Sequence, residues 1–150
     1  MLIRPMTIED YSEVYALWQS IEGFAIRTID DSEEGIRRFL KRNPTTSIVA
    51  VDENRIIGTI LCGHDGRQGC FYHVCVERSY RNHGVATHMT QAAIAALREE
   101  QICKVSLVAF RSNQTGNAYW HELGWKERED LKCYDYILNI ENKVIFNSET

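Results

Sequence analysis

Apolar residues along this chain follow two spacings. Between residues 47 and 76 they gather into three short β-branched and aromatic runs, at 47–51, 55–62 and 70–76. Asp52-Glu53-Asn54 separates the first two, and a glycine-rich stretch from Gly63 to Gly69 separates the second from the third. Short apolar runs divided by turn residues predict an antiparallel meander. Gly58 interrupts the second run and marks a bulge. The third run is almost wholly apolar or aromatic, as in a strand covered on both faces. Elsewhere the spacing is helical. Tyr11, Val14, Tyr15, Trp18 and Ile21 share one face of a helix that begins at Thr7, with Asp10 completing a capping box, and stops at Gly23. Ile36, Phe39 and Leu40 form the buried side of a second helix that Ser32 caps and Asn43-Pro44 ends. Val85, Met89, Ala93 and Leu97 do the same for a third, over 85–100.

A short strand at 2–6 precedes the first helix, and residues 24–31 read as a loop. Acids cluster there: Glu22, Asp30, Asp31, Glu33 and Glu34. Their position suits a solvated loop with favourable charge at a helix N-terminus; the other reading is a negative rim for a cationic amine. Beyond the third helix, a strand at 104–110 completes a βαβ unit with 70–76, so these two strands should be parallel neighbours. A fourth helix covers 115–123 with Gly124 as its stop. Trp125 opens a further strand, 132–140 alternates as the last, and 142–150 reads as a polar, frayed tail. The order predicts an α/β (α+β) chain with a central mixed, mostly antiparallel sheet flanked by helices. It forms a single domain over 1–140, with a C-terminal tail over 141–150.

The strand at 70–76 runs through a polar loop, Glu77 to Gly84, onto the N-terminus of the third helix. The first N–H groups of a helix have no partner within it, and the helix dipole adds positive character at that end. Arg81 adds a full charge, and Gly84 permits a tight turn and a close approach. The loop therefore reads as a phosphate site. It lacks the Gly-Lys-Ser/Thr of a nucleotide P-loop and the three glycines of a dinucleotide loop, so a binder of ATP or NAD fails on motif grounds. What stands there is Arg81-x-x-Gly84-x-Ala86. This resembles the pyrophosphate loop of the GNAT superfamily of N-acetyltransferases. A second motif, Asn113 followed by Tyr119-Trp120-His121-Glu122-Leu123-Gly124-Trp125, resembles the family's asparagine, helix aromatic and Leu-Gly-Phe signature. Gly58 matches a common family glycine, and the element order follows the GNAT acyl-CoA acyltransferase fold over almost the whole chain. The turn from Gly63 to Gly69 is similar to that of small bacterial acetyltransferases of uncertain substrate.

The resemblance implies acetyl-CoA as cosubstrate and direct transfer of its acetyl group to a primary amine of a small molecule or protein in a ternary complex. It implies that the central strand splays from its parallel neighbour near Val76, with the backbone of Val74 and Val76 binding pantetheine. It assigns the pyrophosphate to the N–H groups of Asn82, His83, Gly84, Val85 and Ala86, helped by Arg81 and the Thr87 hydroxyl. Asn113 and Trp120 should contact the far side of the cofactor, and the Val76 N–H should steady the oxyanion. The proton transfers are open. Many members carry tyrosine where this chain has Trp120, and Tyr119 is rotated by about 100° on the helix. Tyr72 or Tyr134 could serve as acid. His73 and Glu22 are the candidate bases, with water as the alternative. Strand alternation sets Tyr72 and His73 on opposite faces. A non-catalytic CoA-binding regulatory module is the competing reading, favoured by the missing tyrosine, and a homodimer through the late strands or tail is open.

Composition narrows the rest. The 150 residues are 44% hydrophobic and 25% charged, as in one globular domain. The net charge of −4, with signs interspersed, speaks against nucleic acid. No apolar run approaches the ~20 residues of a membrane span, and the N-terminus does not read as a signal peptide. Five cysteines with no C-x-x-C, and five histidines without ligand spacing to them, point to free thiols in a reducing cytoplasm and to no metal. Four of the cysteines lie in or beside expected strands, as small core residues do.

Overall fold

The computed structural model describes residues 1–148. Strand β1 (Leu2–Pro5) leads through a 3-10 turn at Ile8–Asp10 into α1 (Tyr11–Ser20). Then come β2 (Ala25–Arg27), α2 (Glu33–Arg42), β3 (Ile48–Asp52), β4 (Arg55–His64) and β5 (Gly69–Val76). A 3-10 turn at Arg78–Tyr80 precedes α3 (Val85–Glu99), β6 (Val105–Leu107), α4 (Gln114–Glu122) and β7 (Val144–Phe146). Five strands form one sheet in the order β1-β3-β4-β5-β6. All neighbours are antiparallel except β5 and β6. The predicted class, meander and βαβ unit are therefore present.

The sheet separates two cores, because each helix has one apolar stripe to bury. On one face α3 sets Val85, Met89, Ala93 and Leu97 against Ile57, Ile60, Phe71 and Val76. On the other, α1 and α2 set Val14, Leu17, Trp18, Ile36 and Leu40 against Val49, Leu61 and Cys75. The predicted stripes are these buried faces. Ser32 caps α2 as expected, accepting the Gly35 N–H at 3.1 Å. The β3–β4 register shifts beside Gly58, where Ile57 is the extra residue.

The first turn is pinned electrostatically. Asp10 is 8% exposed and accepts from both terminal guanidinium nitrogens of Arg4, at 2.8 and 2.9 Å, and from the Thr7 N–H at 2.8 Å. Burial alone would raise the Asp10 pKa; the bonds from Arg4 and Thr7 outweigh it and hold the pKa below the ordinary value. A carboxylate whose folded pKa is depressed stabilises the fold above its unfolded pKa of about 3.9, and that stability is lost as pH falls through the folded value. Urea melts at pH 5 and pH 3 should therefore show a loss of stability on acidification. Part of that loss should vanish in Arg4→Ala, where Asp10 no longer holds the depressed pKa.

Three expectations are corrected. No strand opens at Trp125. Gly124 is left-handed (φ +87°), its N–H bonds to the His121 carbonyl and the Trp125 N–H to the Trp120 carbonyl, each at 3.0 Å. This is a Schellman cap, and the rings of Trp120 and Trp125 meet at 4.8 Å across it. Trp125 thus closes α4. The alternating run 132–140 pairs with no strand among the described residues and leaves Tyr134, Tyr136, Leu138 and Ile140 exposed. Alternation marks a strand-forming face; a strand also needs a neighbour for its N–H and C=O groups. The third correction concerns both the loop at 24–31 and the tail up to residue 148, positions 149–150 lying outside the described residues. Each supplies a strand, and β2 pairs β7 with Ile26 opposite Ile145. Asn147 donates to the Trp18 and Ile21 carbonyls at 2.7 Å, and Asn142 accepts the Ile29 and Asp30 N–H groups. Polar tail residues are held because the open end of α1 and the 27–31 turn offer them partners.

Candidate active site

The site lies where β5 parts from β6. The two pair only through Gly69↔Val105, Cys70↔Ser106 and Phe71↔Leu107. The expected strand at 104–110 is therefore shorter, and Val108 and Phe110 are exposed beyond it. From Tyr72 to Val76, β5 has a neighbour on its β4 side and none on the other among the described residues. The splay thus starts at Tyr72, upstream of its predicted level.

Downstream of the gap, Asn82 (φ +65°) and Gly84 (φ +78°) turn the chain sharply into α3. Gly84 is the N-cap and offers no side chain to the helix end. Among the described residues, no acceptor meets the N–H groups of Asn82, His83, Gly84, Val85, Ala86 or Thr87. This is a row of unpaired donors at a dipole's positive end. Arg81 bonds the Val76 carbonyl through Nε at 3.1 Å, which ties the loop to the end of β5 and leaves the outer guanidinium nitrogens without a hydrogen-bond partner among the described residues. An anionic chain could therefore lie along the gap and end on this loop, so the residues present fit a CoA thioester.

The second motif contributes differently from expectation. Asn113 Oδ1 accepts the Gly116 N–H at 3.0 Å and so caps α4. Trp120 packs against Phe71 and Trp125 in the α3-side core. Tyr119, one residue earlier, places its hydroxyl 3.2 Å from Thr87 Oγ1 in the first turn of α3. The rotation that takes Tyr119 away from the Trp120 position carries it to the donor loop. Sequence reading set it aside for want of the α3–α4 arrangement.

Tyr72 and His73 overturn strand parity. On β4, Thr59 faces Cys75 and Leu61 faces Tyr72, so Ile60 stands opposite both His73 and Val74. This is a bulge, with His73 left-handed at φ +49°. The extra residue sends two consecutive side chains to the same face. Tyr72 meets Phe39 of α2, and His73 lies against Trp18 and Phe24 with both centroid distances 4.8 Å. A non-glycine residue in this conformation costs on the order of 1–3 kcal/mol, which the surrounding packing must offset. Tyr72 is half-exposed, and burial of its hydroxyl, with the bond it donates to Cys70 next, pushes its pKa up to about 12. His73 Nε2 lies 2.8 Å from Asp31 Oδ2. Asp31 is 3% exposed, so it is not the solvated loop acid expected of that cluster.

Glu22 lines a cleft of about 840 Å³ between the end of α1 and the loop after β5, shared with Glu13, Arg55, Glu77, Arg78 and Arg81. The fold thus brings Glu22 to the Arg81 side and His73 to the Asp31 side. Cys75 is buried, and burial pushes its thiol up to about 12, which leaves no thiolate at neutral pH. Cys62 is buried too and Cys70 half-buried, whereas Cys103 and Cys133 are exposed rather than core residues. Among the described residues no cluster of three His, Cys, Asp or Glu could hold a metal, and no helix is long and apolar enough to cross a membrane.

The profile of the Acetyltransferase (GNAT) family matches residues 9–125. The chain belongs to this family. Acetyltransferase SG1711 of Sodalis glossinidius (strain morsitans) is 26% identical over 131 residues, spanning 87% of this chain and 91% of that protein. Among solved structures, the NatC complex bound to Gag peptide and CoA aligns with TM-score 0.68 and 23% identity, over 81% of this chain and 82% of that one. A predicted acetyltransferase with acetyl-CoA from Clostridium acetobutylicum aligns with TM-score 0.64 and 19% identity, over 89% and 95%. As a GNAT protein this chain is an acetyltransferase whose acetyl donor is acetyl-CoA.

Proposed function

We propose that this GNAT enzyme moves the acetyl group directly onto a primary amine of a small molecule or protein, within a ternary complex. The observation that carries the reading is the splayed half of β5 running into a loop whose N–H groups, from Asn82 to Thr87, have no acceptor among the described residues. In this reading the backbone of Val74 and Val76 holds pantetheine along the gap. The N–H groups of Asn82, His83, Gly84, Val85 and Ala86, the Arg81 guanidinium and the Thr87 hydroxyl hold the pyrophosphate. Tyr119 joins them through Thr87. Trp120 and Asn113 border the far side, from within their packing and capping roles. Bound acetyl-CoA supplies an activated thioester carbonyl. The Val76 N–H steadies the charge that develops on its oxygen, and a preorganised donor of this kind is commonly worth ~3–4 kcal/mol. Tyr72, His73 and Glu22 are the side chains available for the proton transfers. The five free thiols favour the cytoplasm as the working compartment.

The competing reading, a CoA-binding module without turnover, is favoured by the packing of Trp120 where many members place an acidic tyrosine. The test is thermal unfolding with acetyl-CoA, CoA or ATP, joined to an assay of CoA release with amines. Ligand at ~100 times its dissociation constant should add about 2.7 kcal/mol of stability. For a domain of this size that is on the order of 5–10 °C. The shift should be absent with ATP. It should also be absent in Gly84→Trp, which must adopt a left-handed φ and fills the approach to the N–H row. A shift without amine-dependent CoA release would establish the non-catalytic module instead.

A further inference from the structure

We infer that Asp31 positions His73 as the proton acceptor for the incoming amine, an inference that rests on acetyl transfer to an amine. Four observations meet at this pair. His73 stands in the splayed half of β5, at the bulge, in a left-handed conformation that its surroundings must enforce. Its ring lies against both Trp18 and Phe24. Its Nε2 is 2.8 Å from Oδ2 of Asp31, a carboxylate with 3% exposure whose same oxygen accepts the Arg27 N–H at 2.6 Å. Nδ1 has no protein partner among the described residues, yet it is not among the unpartnered atoms sealed from solvent, and the side chain keeps 12% exposure.

The tautomer follows. A carboxylate only accepts, so Nε2 carries the hydrogen and donates it to Asp31. Nδ1 is then bare, and its lone pair is not sealed from solvent. When Nδ1 takes a proton, the imidazolium is steadied by a buried anion already in place. The bulge adds the Tyr72 hydroxyl on the same face, one residue away. A buried His–Asp bond could merely latch the 27–31 turn to β5, but a latch has no need of a second nitrogen left open.

The step balances. An ammonium proton passes to Nδ1 and on to solvent. The freed nitrogen lone pair forms the C–N bond, the C–S bond breaks, and its electron pair stays on sulfur. The nitrogen's next proton is lost as the amide forms and is matched by the one the thiolate takes up, so each turnover releases one proton. Asp31 meets the ring directly; the Tyr11 hydroxyl donates to the Asp31 carbonyl, the Arg27 N–H to its carboxylate, and Asp30 and Arg27 act on the Tyr72 hydroxyl beside the ring.

The experiment uses the full chain with three amine probes: spermidine, kanamycin A and a peptide with a free α-amine. Rates of CoA release are measured from pH 5.5 to 9.5 for the wild type, Asp31→Asn and His73→Gln, each checked for acetyl-CoA binding by thermal shift. Nitrogen-15 NMR of the histidine rings reads the tautomer. His73→Gln should lower kcat about 100-fold or more. Asp31→Asn should lower it at least ~10-fold and displace the acid limb of the profile, while both variants keep the acetyl-CoA shift. The wild-type ring should be protonated at Nε2. An Asp31→Asn variant with unchanged kcat and profile, a wild-type ring protonated at Nδ1, or an active His73→Gln overturns the inference while leaving amine acetylation standing. If Asp31→Asn does not fold, the wild-type tautomer and His73→Gln still decide. A wild type that acetylates none of the three amines overturns amine transfer and the dyad together.

Discussion

Trp18→Ala is expected to lower the free energy of unfolding by about 3–5 kcal/mol, the range for emptying a large aromatic site in a core. Trp18 is fully buried, stacks on Phe24 at 6.2 Å and meets His73 at 4.8 Å. Several of its cluster partners are held in place: Val14 and Leu17 belong to the same helix, and Phe24 is followed at once by β2. The variant should remain folded at low temperature, because the α3-side core is untouched, but with a markedly lower denaturant midpoint and an unchanged m-value. It should also free the His73 ring. Activity should then fall further than the remaining folded fraction accounts for, which chemical denaturation and turnover measured on one sample will show.

The second large effect is expected at Gly35. A Cβ there would lie 2.3 Å from the Ile29 carbonyl oxygen and 2.5 Å from that of Asp30. Both are backbone atoms, so no rotamer change relieves the contact, and either α2 or the 29–31 turn must move. Overpacking of this kind costs typically 1–3 kcal/mol and more where the obstacle is rigid, so Gly35→Val should reach or exceed the top of that range. The displaced turn carries Asp31 and is tied through Asn142 to the chain after residue 140. The His73–Asp31 contact should therefore loosen in parallel with the loss of stability. Gly66→Ala makes a control for glycine replacement: its site is left-handed but open on every side, so only the smaller cost of a strained φ is expected. Thermal melts of the two variants separate the mechanisms.

What could be read from the sequence was whatever depends on neighbours in the chain. The meander at 47–76 followed from apolar runs divided by turn residues, and the helices from stripes three and four residues apart. The donor loop followed from one arginine and one glycine at the mouth of a helix. These features arise within about a dozen residues, where backbone sterics and a single apolar face decide the outcome. Family membership was legible for the same reason, since its two motifs are local.

Contacts between distant segments were not legible. Asp31 read as one acid in a solvated cluster, and only the packing of the 27–31 turn against β5 buries it beside His73, 42 residues away. Alternation placed Tyr72 and His73 on opposite faces. The bulge, set by how β5 matches β4 opposite Ile60, put them together. Trp125 read as the start of a strand, and its bond back to Trp120 made it part of a helix cap. The tail read as frayed, and β2 gave it a partner more than a hundred residues upstream. In each case the local preference is worth a fraction of a kcal/mol per residue. Burying an unpaired carboxylate or leaving backbone groups unmatched costs several times more, so the tertiary arrangement decided.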